Sequence, residues 1–265
     1  MNIAIVGATG NVGRRLIEVL EKKQFPIDEL FLIASSKSVG KKINFKGKEH
    51  SIHDLESFDF SSVKIAFFAA GSVIADKWVP IASQKTIVID NSKFFRMDPD
   101  VPLIVPEVNS KDLKDYKKKN IIANANCSVI PLVVALKPLH DLYNIKRIVA
   151  STYQSVSGAG KAPMDELLSQ TKDFFEGKEL NSKLFTKQIA FNAIPHIDSF
   201  LEDGYTKEEQ KMHDEVKKIL DSKIKITSTS VRIPVLVSHA VSVNVEFNKK
   251  YKLDEIRTVL NSSPG

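Results

Sequence analysis

The chain has 265 residues, and its 38 Lys and Arg exceed its 32 Asp and Glu to give a formal net charge of +6. A hydrophobic content of 43% and a charged content of 26% are typical of a globular protein, and they exclude collagen-like, mucin-like and wholly disordered chains. The single cysteine, Cys127, excludes an intramolecular disulfide framework and an all-cysteine metal site, so this thiol is either buried and inert or chemically active.

The first half of the chain alternates strand-like apolar runs with helical patterns. This alternation is typical of βαβ units and a parallel sheet. In chain order the predicted elements are Ile3–Val6, Val12–Leu20, Leu30–Ala34, Ile65–Ala69, Trp78–Ser83 and Ile87–Asp90.

A glycine-rich segment, Gly7-Ala8-Thr9-Gly10-Asn11-Val12-Gly13, follows the first predicted strand and opens the first helix. Glycines in this context permit a tight turn and a close approach of the backbone to a pyrophosphate, which the helix N-terminus attracts. The alternative is a plain turn between a strand and a helix. We therefore predict a Rossmann-type nucleotide-binding domain over residues 1–126, with cofactor-binding residues at Gly7, Thr9, Gly10, Asn11 and Val12.

The end of the second strand bears on the choice of dinucleotide. An NAD site usually has an acidic residue there, whereas this chain has Ser35, Ser36 and Lys37. Hydroxyls and a cation favour NADP, with Ser35 and Ser36 as cofactor-binding residues. The alternative is an ordinary polar loop, which serine-rich turns often form.

Cys127 lies between a short strand at Ile121–Ala123 and an apolar helical pattern from about Val129 to Leu142. Unpaired N–H groups at a helix N-terminus stabilise a thiolate, which is how a nucleophilic cysteine is made near neutral pH. Without further context, a lone cysteine is more often a small buried hydrophobic residue.

The second half of the chain is rich in β-structure. Strand-like stretches at Arg147–Ser155, Ile224–Val237 and Val241–Phe247 are interrupted by helical patterns at Met164–Phe175 and Glu208–Leu220. This pattern predicts an α+β domain over residues 127–265, built on a mostly antiparallel or mixed sheet.

Several characteristic strings occur in order across the whole chain. They are the Gly7–Gly13 segment, DNSKFFR at 90–96, VPLIVPEVN at 101–109, NCS at 126–128, STYQSVSGAG at 151–160, FNAIPHID at 191–198, GYTKEEQK at 204–211 and VRIPVLVSH at 231–239. In these strings the chain resembles the bacterial type of aspartate-semialdehyde dehydrogenase. The resemblance implies a Rossmann-type domain plus an α+β substrate and dimerisation domain. It also implies NADPH-dependent conversion of L-aspartyl 4-phosphate to L-aspartate 4-semialdehyde, in lysine, threonine, methionine and diaminopimelate biosynthesis.

The resemblance also assigns roles to individual residues. Cys127 is implied to be the nucleophile that forms a thioester, His239 the general acid and base, and Gln154 the residue that orients the substrate beside the thiol. The remaining roles are substrate binding by Arg232, Glu208 and Asn126, phosphate binding by Arg96 and Lys211, and contact with the nicotinamide half of NADP by Ser157 and Gly158. Without the resemblance, His239 would be an ordinary strand-end residue, Gln154 a structural turn residue and Glu208–Lys211 a surface ion pair.

The chain differs from the family pattern at a few positions. Ala240 and Val241 replace the usual Ser-Glu after His239, which is expected to change how the imidazole is oriented, because a base normally needs a partner on its other nitrogen. Family members also continue beyond the position of Gly265. We therefore expect either a truncated sequence that lacks a nicotinamide-contacting segment or a naturally short paralogue.

The remaining expectations concern partners. A homo-oligomer, dimer or tetramer, is expected through the second domain, in a cytoplasmic protein with no membrane partner. Lysines with acidic neighbours, as in Lys207–Lys211, argue against nucleic acid, and the histidines and acids lack metal-ligand spacing. Two alternative functions stay open: an inactive truncated paralogue that serves as a binding or oligomer partner, and a sister acyl-phosphate reductase with another acidic substrate.

Overall fold

The computed structural model describes residues 1–265 and separates into two compact units. The first contains residues 1–104 and 111–125, and the second contains residues 105–110 and 126–265. In neither unit does a helix combine the length and the apolar character that a membrane span requires.

The first unit is built on one large sheet. Its strands are β1 (Ile3–Val6), β2 (Leu30–Ala34), β3 (Lys42–Phe45), β4 (Lys48–Asp54), β5 (Ile65–Phe68), β6 (Ile87–Asp90), β7 (Leu103–Ile104) and β8 (Ile121–Asn124), and its α-helices are α1 (Asn11–Lys22) and α2 (Ser72–Ser83). The strand order is β3-β4-β2-β1-β5-β6-β8-β7, and every neighbouring pair is parallel except the β3–β4 hairpin. Because successive strands run outward from β1 in both directions, the predicted Rossmann-type fold is confirmed.

Strand β1 lies at the centre of this sheet, and all four of its residues are buried. A strand that is covered on both faces reads as a continuous apolar run, which is what Ile3–Val6 provides. Val6 pairs with Ile33 of β2 on one side and Phe68 of β5 on the other. The loop that begins at Gly7 therefore leaves the carboxyl edge of the sheet where the strand order reverses, which is the usual ligand position in such sheets.

The second unit combines a small sheet with five α-helices. Its elements are α3 (Pro106–Asn109), α4 (Val129–Tyr143), β9 (Ile145–Gln154), α5 (Lys161–Phe175), α6 (Lys207–Ile219), β10 (Lys225–Arg232), β11 (His239–Phe247) and α7 (Leu253–Ser262). Strand β9 lies between β10, to which it is parallel, and β11, to which it is antiparallel. Helix α6 packs on β10, and α4 contacts both α6 and α7. The predicted α+β unit with a mixed sheet is thus confirmed.

The register of this sheet aligns three predicted site residues in one row. Gln154, the last residue of β9, pairs with Arg232 of β10 and with His239 of β11. The expected extension of β10 to Val237 is wrong, because Pro234 has no N–H to continue a ladder and the chain turns back before His239. That early turn is what places His239 at the start of β11, beside Gln154.

Candidate active site

The thiol of Cys127 lies just before helix α4. Cys127 is exposed, whereas the residues on either side of it, Asn126 and Ser128, are buried. The Asn126 carbonyl oxygen accepts hydrogen bonds from the Val129 and Ile130 amides, both at 3.0 Å, which starts the helix. The predicted position of the sulphur at a helix N-terminus is therefore present in the structure, in a place that solvent and small molecules can reach.

The imidazole of His239 faces this sulphur, with 3.2 Å between Cys127 Sγ and His239 Nε2. On the other side of the ring, Nδ1 lies 3.0 Å from the Ser155 main-chain N–H and 2.8 Å from the Ser238 carbonyl oxygen. The first group can only donate and the second can only accept, so Nδ1 has a main-chain partner whether or not it carries a proton. The main chain thus supplies the partner for the second ring nitrogen that the replacement of Ser-Glu by Ala240-Val241 had put in question.

Gln154 lies within the sheet instead of in the turn that the sequence suggested, and only 2% of it is exposed. Its Oε1 accepts a hydrogen bond from Thr152 Oγ1 at 3.0 Å, and its Nε2 donates to Glu208 Oε1 at 3.1 Å. A buried amide needs such partners on both its oxygen and its nitrogen. Its orientation is therefore fixed before any substrate binds.

Arg232 is also buried, and its Nη1 donates to the Ser155 carbonyl oxygen at 2.6 Å. Burial lowers the pKa of the Arg232 guanidinium, and the negative charges of Glu208 and Cys127 partly oppose this effect. Nearby, a Cβ placed on Gly158 would lie 3.5 Å from both Arg232 Nη1 and His239 Nε2. The absence of a side chain at Gly158 therefore keeps open the space in front of both groups.

Glu208 and Lys211 on helix α6 form a largely buried ion pair, not the surface pair considered as the alternative, because their side chains are 8% and 19% exposed. Lys211 Nζ donates to Glu208 Oε2 and to Asp198 Oδ2, each at 2.9 Å. Burial is the largest single influence on both groups and opposes their charges. The attraction between them and the hydrogen bonds of their other partners together outweigh it, so the pKa of Glu208 is lowered and the pKa of Lys211 is raised. The predicted shared helical face is confirmed, and both groups are held in their charged forms.

Asn126 connects this ion pair to the thiol. Its Nδ2 donates to Glu208 Oε1 at 3.0 Å, and its Oδ1 accepts from the Ser128 main-chain N–H at 2.8 Å. Glu208 Oε1 thus receives hydrogen bonds from Asn126 and from Gln154 together. One carboxylate therefore links helix α6, the end of β9 and the segment that carries Cys127.

The second unit in this way brings together seven residues that the sequence predicted as site residues. They are Asn126, Cys127, Gln154, Glu208, Lys211, Arg232 and His239. Two further residues contact this group and were not predicted: Ser155 contacts both His239 and Arg232, and Asp198 contacts Lys211. Both lie in strings that carried the resemblance, STYQSVSGAG and FNAIPHID, so their position next to predicted site residues was an available signal.

Arg96, the predicted phosphate-binding arginine, lies in the first unit. It is buried, and its Nη2 donates to the Asn91 carbonyl oxygen at 3.1 Å. Ser157 and Gly158, predicted to contact the nicotinamide, lie in the second unit in a 3-10 turn at Val156–Ala159, immediately after the strand that ends at Gln154.

The glycine-rich loop of the first unit has the geometry that a dinucleotide phosphate needs. Gly7 has a φ of +87°, which favours glycine, and a Cβ there would lie 2.6 Å from the Ala69 carbonyl oxygen. A Cβ on Gly13 would lie 2.2 Å from the Gly7 carbonyl oxygen, so α1 packs directly on the loop. Helix α1 begins at Asn11 with no side-chain cap, and its first residues are exposed. The start of this helix thus lies at the protein surface, where the positive end of the helix dipole favours an anionic ligand.

The segment predicted to select the dinucleotide lies at the end of β2. Ser35, Ser36 and Lys37 follow β2 and are exposed. No group of three or more His, Cys, Asp or Glu side chains is arranged to hold a metal ion.

Comparison with known proteins gives a consistent result. Two family models match the chain, the semialdehyde dehydrogenase NAD binding domain over residues 2–116 and the semialdehyde dehydrogenase dimerisation domain over residues 136–265. The aspartate-semialdehyde dehydrogenase of Aquifex aeolicus is 54% identical, with 99% of this chain and 78% of that protein covered. The aspartate-semialdehyde dehydrogenase of Rickettsia bellii is 50% identical, with 100% and 78% covered.

A solved structure extends this likeness to three dimensions. The crystal structure of aspartate semialdehyde dehydrogenase II from Vibrio cholerae, complexed with ASA, matches with a TM-score of 0.98 at 48% identity. The match covers 100% of this chain and 79% of that chain. The chain therefore belongs to the aspartate-semialdehyde dehydrogenase family of oxidoreductases.

Proposed function

We propose that Cys127 carries out the reductive dephosphorylation of L-aspartyl 4-phosphate to L-aspartate 4-semialdehyde as a covalent nucleophile. The Cys127 sulphur attacks the acyl carbon, a C–S bond forms, the C–O bond to phosphate breaks, and inorganic phosphate leaves behind a thioester. When bound, the reduced nicotinamide cofactor supplies the hydride that reduces this thioester. The C–S bond of the resulting hemithioacetal then breaks, which releases the aldehyde and leaves the Cys127 sulphur as a thiolate that takes back its proton from His239.

The observation that supports this role most directly is the 3.2 Å separation of Cys127 Sγ and His239 Nε2. A base must lie within hydrogen-bond reach of the proton that it takes, and it must be oriented by a further group. The main chain at Ser155 and Ser238 provides that orientation. In the proposal His239 takes the thiol proton at Nε2 and holds it there beside the sulphur.

The substrate is proposed to bind in front of Arg232 and Glu208. Arg232 uses Nη1 for the protein's own main chain, and the other edge of its planar guanidinium suits a carboxylate. Glu208 already accepts hydrogen bonds from Asn126, Gln154 and Lys211. A carboxylate has about four acceptor sites, so one remains for the α-ammonium group. This remaining site favours an amine-bearing substrate over that of a sister acyl-phosphate reductase.

The phosphate and carbonyl ends of the substrate have their own proposed partners. Lys211 and Arg96 are the cations proposed for phosphate. The amide nitrogens of Gln154 and Asn126 each carry a second hydrogen beyond the one given to Glu208, and we propose that these face the substrate.

The cofactor is proposed to be NADP, held by residues 1–126, with catalysis and subunit contacts assigned to residues 127–265. The uncapped start of α1 fits a pyrophosphate, and the exposed Ser35, Ser36 and Lys37 fit a 2′-phosphate better than a free ribose hydroxyl. Ser157 and Gly158 are proposed to approach the nicotinamide half, because Gly158 leaves open the space beside His239 and Arg232.

The protein is proposed to form a homo-oligomer, either a dimer or a tetramer, and to act in the cytoplasm. The second unit carries the matched dimerisation domain and an exposed aromatic cluster of Phe174, Phe175 and Phe191, with ring centroids 4.6–6.1 Å apart. Each of these rings is more than half exposed, and contiguous exposed apolar surface usually marks an interface. Sedimentation velocity would give the number of subunits.

The decisive experiment measures the reverse reaction, in which NADP is reduced as aspartate semialdehyde and phosphate are converted to aspartyl phosphate. Purified protein given aspartate semialdehyde, phosphate and NADP should gain absorbance at about 340 nm only when phosphate is present, and more slowly with NAD. Cys127→Ser should abolish turnover because a hydroxyl is a far weaker nucleophile. Ser128→Ala is the matched control, because the Ser128 hydroxyl is buried beside Cys127 without a hydrogen-bond partner, and it should retain turnover. Phosphate-independent reduction, or wild-type kcat in Cys127→Ser, would contradict the proposal.

A further inference from the structure

A second buried carboxylate on helix α6, that of Glu215, contacts the segment that carries the thiol. Only 1% of Glu215 is exposed, and its Oε2 accepts a hydrogen bond from the Asn126 main-chain N–H at 2.6 Å. Burying a carboxylate is costly unless hydrogen bonds or charges compensate for the loss of water. Because Glu215 is buried at this cost and accepts a hydrogen bond from the residue directly before Cys127, we expect it to have a specific role there.

The spacing along α6 explains how this contact arises. Glu208, Lys211 and Glu215 are separated by three and four residues, so they lie on one face of the helix. From that face Glu208 accepts the side-chain amide of Asn126, while Glu215 accepts its main-chain amide. Helix α6 thus holds Asn126 by two carboxylates at once.

These contacts fix the main chain immediately before the nucleophile. The carbonyl oxygen of Asn126 starts helix α4, and its Oδ1 accepts the Ser128 N–H, so the groups around Cys127 are bonded on both sides. The Sγ to Nε2 distance of 3.2 Å depends on where this segment places Cys127 relative to β11. A displacement of about 1 Å at a reacting group can cost on the order of a hundredfold in rate.

We propose that Glu215 is a positioning residue, which fixes the main chain at Asn126 so that the Cys127 sulphur is held against His239. The inference rests on the proposed function only in taking Cys127 as the nucleophile. Glu215 itself touches neither substrate nor cofactor in this scheme. Its contribution is to kcat, while binding of the substrate carboxylate by Arg232 is separate from it.

The test uses substitutions that separate folding from positioning. Glu215→Leu roughly keeps the side-chain size and removes the charge and the acceptor. Loss of the acceptor for the buried Asn126 N–H is expected to cost about 1–3 kcal/mol of unfolding free energy, so urea unfolding first establishes that the variant is folded. We expect kcat to fall about tenfold to a hundredfold while KM for the semialdehyde stays within about twofold. Glu215→Gln retains an acceptor oxygen and should recover most of this loss. If Glu215→Leu does not fold, Glu215→Asp takes its place, because it is one methylene shorter and is expected to show the same loss of kcat.

Alkylation of Cys127 by iodoacetamide supplies a readout that does not depend on turnover. The pH profile of the alkylation rate should change in the Leu or Asp variant and return towards wild type in the Gln variant. The matched control is Glu209→Gln, which neutralises another buried α6 carboxylate that accepts a main-chain N–H, that of Ser230 at 2.9 Å. This control should lose stability but keep kcat and the alkylation profile of the wild type.

The outcomes distinguish this inference from the proposed function. Wild-type kcat and a wild-type alkylation profile in the folded Leu or Asp variant would overturn the positioning role of Glu215. An equal loss in Glu209→Gln would also overturn it, because the effect would then come from general destabilisation of α6. Full activity in Cys127→Ser would instead overturn the proposed function, while the alkylation profiles would still report whether Glu215 fixes the segment.

Discussion

The two units build their candidate sites in opposite ways. In the first unit, seven consecutive residues from Gly7 to Gly13 form the loop proposed to bind the cofactor phosphates, and it is shaped mainly by contacts within the loop and by the close approach of Gly7 to Ala69. In the second unit, the groups around Cys127 come from residues as far apart as Asn126 and His239, brought together by sheet register and by helix α6. A site made of one segment can be disturbed locally, whereas an assembled site depends on every element that carries part of it.

The largest expected effect comes from replacing His239 in the second unit, and it should lower the rate of the chemical step without weakening substrate binding. His239→Gln removes the group proposed to exchange a proton with Cys127, and loss of a general base typically lowers the rate by about 10²–10⁴-fold. We expect kcat to fall in this range while KM for the semialdehyde changes little, because Arg232 and Glu208 remain. Steady-state kinetics of the phosphate-dependent reaction would measure both constants.

A matched control for this prediction is His196→Gln, because His196 stacks on Phe200 at 4.4 Å between ring centroids and has no role in the proposed site. Its kcat should equal that of the wild type. A His239→Gln variant with unchanged kcat would show that the proton is taken by another group.

A smaller effect is expected from the first unit, at the contact between α1 and the glycine loop. Gly13→Ala places a Cβ 2.2 Å from the Gly7 carbonyl oxygen and 2.8 Å from Ala8 Cα, so the backbone must move. Overpacking of this kind costs about 1–3 kcal/mol of unfolding free energy. We expect KM for NADP to rise roughly tenfold, which corresponds to about 1.4 kcal/mol of binding.

Alkylation of Cys127 shows whether the two sites are separable in this variant. The rate with iodoacetamide in the absence of cofactor should match that of the wild type, since Cys127 belongs to the other unit. Val19→Ala, at an exposed position of the same helix, is the control and should leave KM for NADP unchanged. A Gly13→Ala variant with a changed alkylation rate and an unchanged KM for NADP would contradict the expectation that the two sites can be disturbed independently.

The contrast between the units also explains what the sequence predicted. Strand β1, the glycine loop and α1 follow from local periodicity and from the glycine spacing, and the structure has them where they were expected. The hairpin of β3 and β4 was missed, because Lys42–Phe45 and Lys48–Asp54 are polar and mostly exposed at the sheet edge and so lack a clear apolar pattern.

In the second unit the residues could be named from the sequence, but their arrangement could not. The row of Arg232, Gln154 and His239 depends on the register between strands separated by about eighty residues, which no local pattern specifies. Glu215 was overlooked for the same reason, although its spacing from Lys211 places it on the helical face already assigned to the site. Only the fold shows that this face is buried against Asn126.

The smallest expected effect concerns the carboxylate that links the assembled site, and it appears in the pH dependence of stability. The pKa of Glu208 in the folded protein lies below its ordinary value of 4.5, so the ionised form stabilises the fold. This stabilisation is fully present above the unfolded pKa and is lost as the pH falls through the lower folded value. Glu208→Gln cannot titrate, and it should be less stable than the wild type by about 1 kcal/mol at neutral pH, because Lys211 loses one of its two carboxylate partners and keeps Asp198.

Urea unfolding at several pH values tests the sign of this effect. Between about pH 7 and pH 5 the difference between wild type and Glu208→Gln should stay constant, and below that range it should shrink as Glu208 of the wild type takes up a proton. The exposed Glu18, paired only with Arg15 at the surface, provides the control, and Glu18→Gln should differ little from the wild type at any pH. A difference that instead grew on acidification would mean that folding raises the pKa of Glu208. In that case the hydrogen bonds from Asn126, Gln154 and Lys211 would not outweigh its burial, and a charged Glu208 could not be what holds the assembled site together.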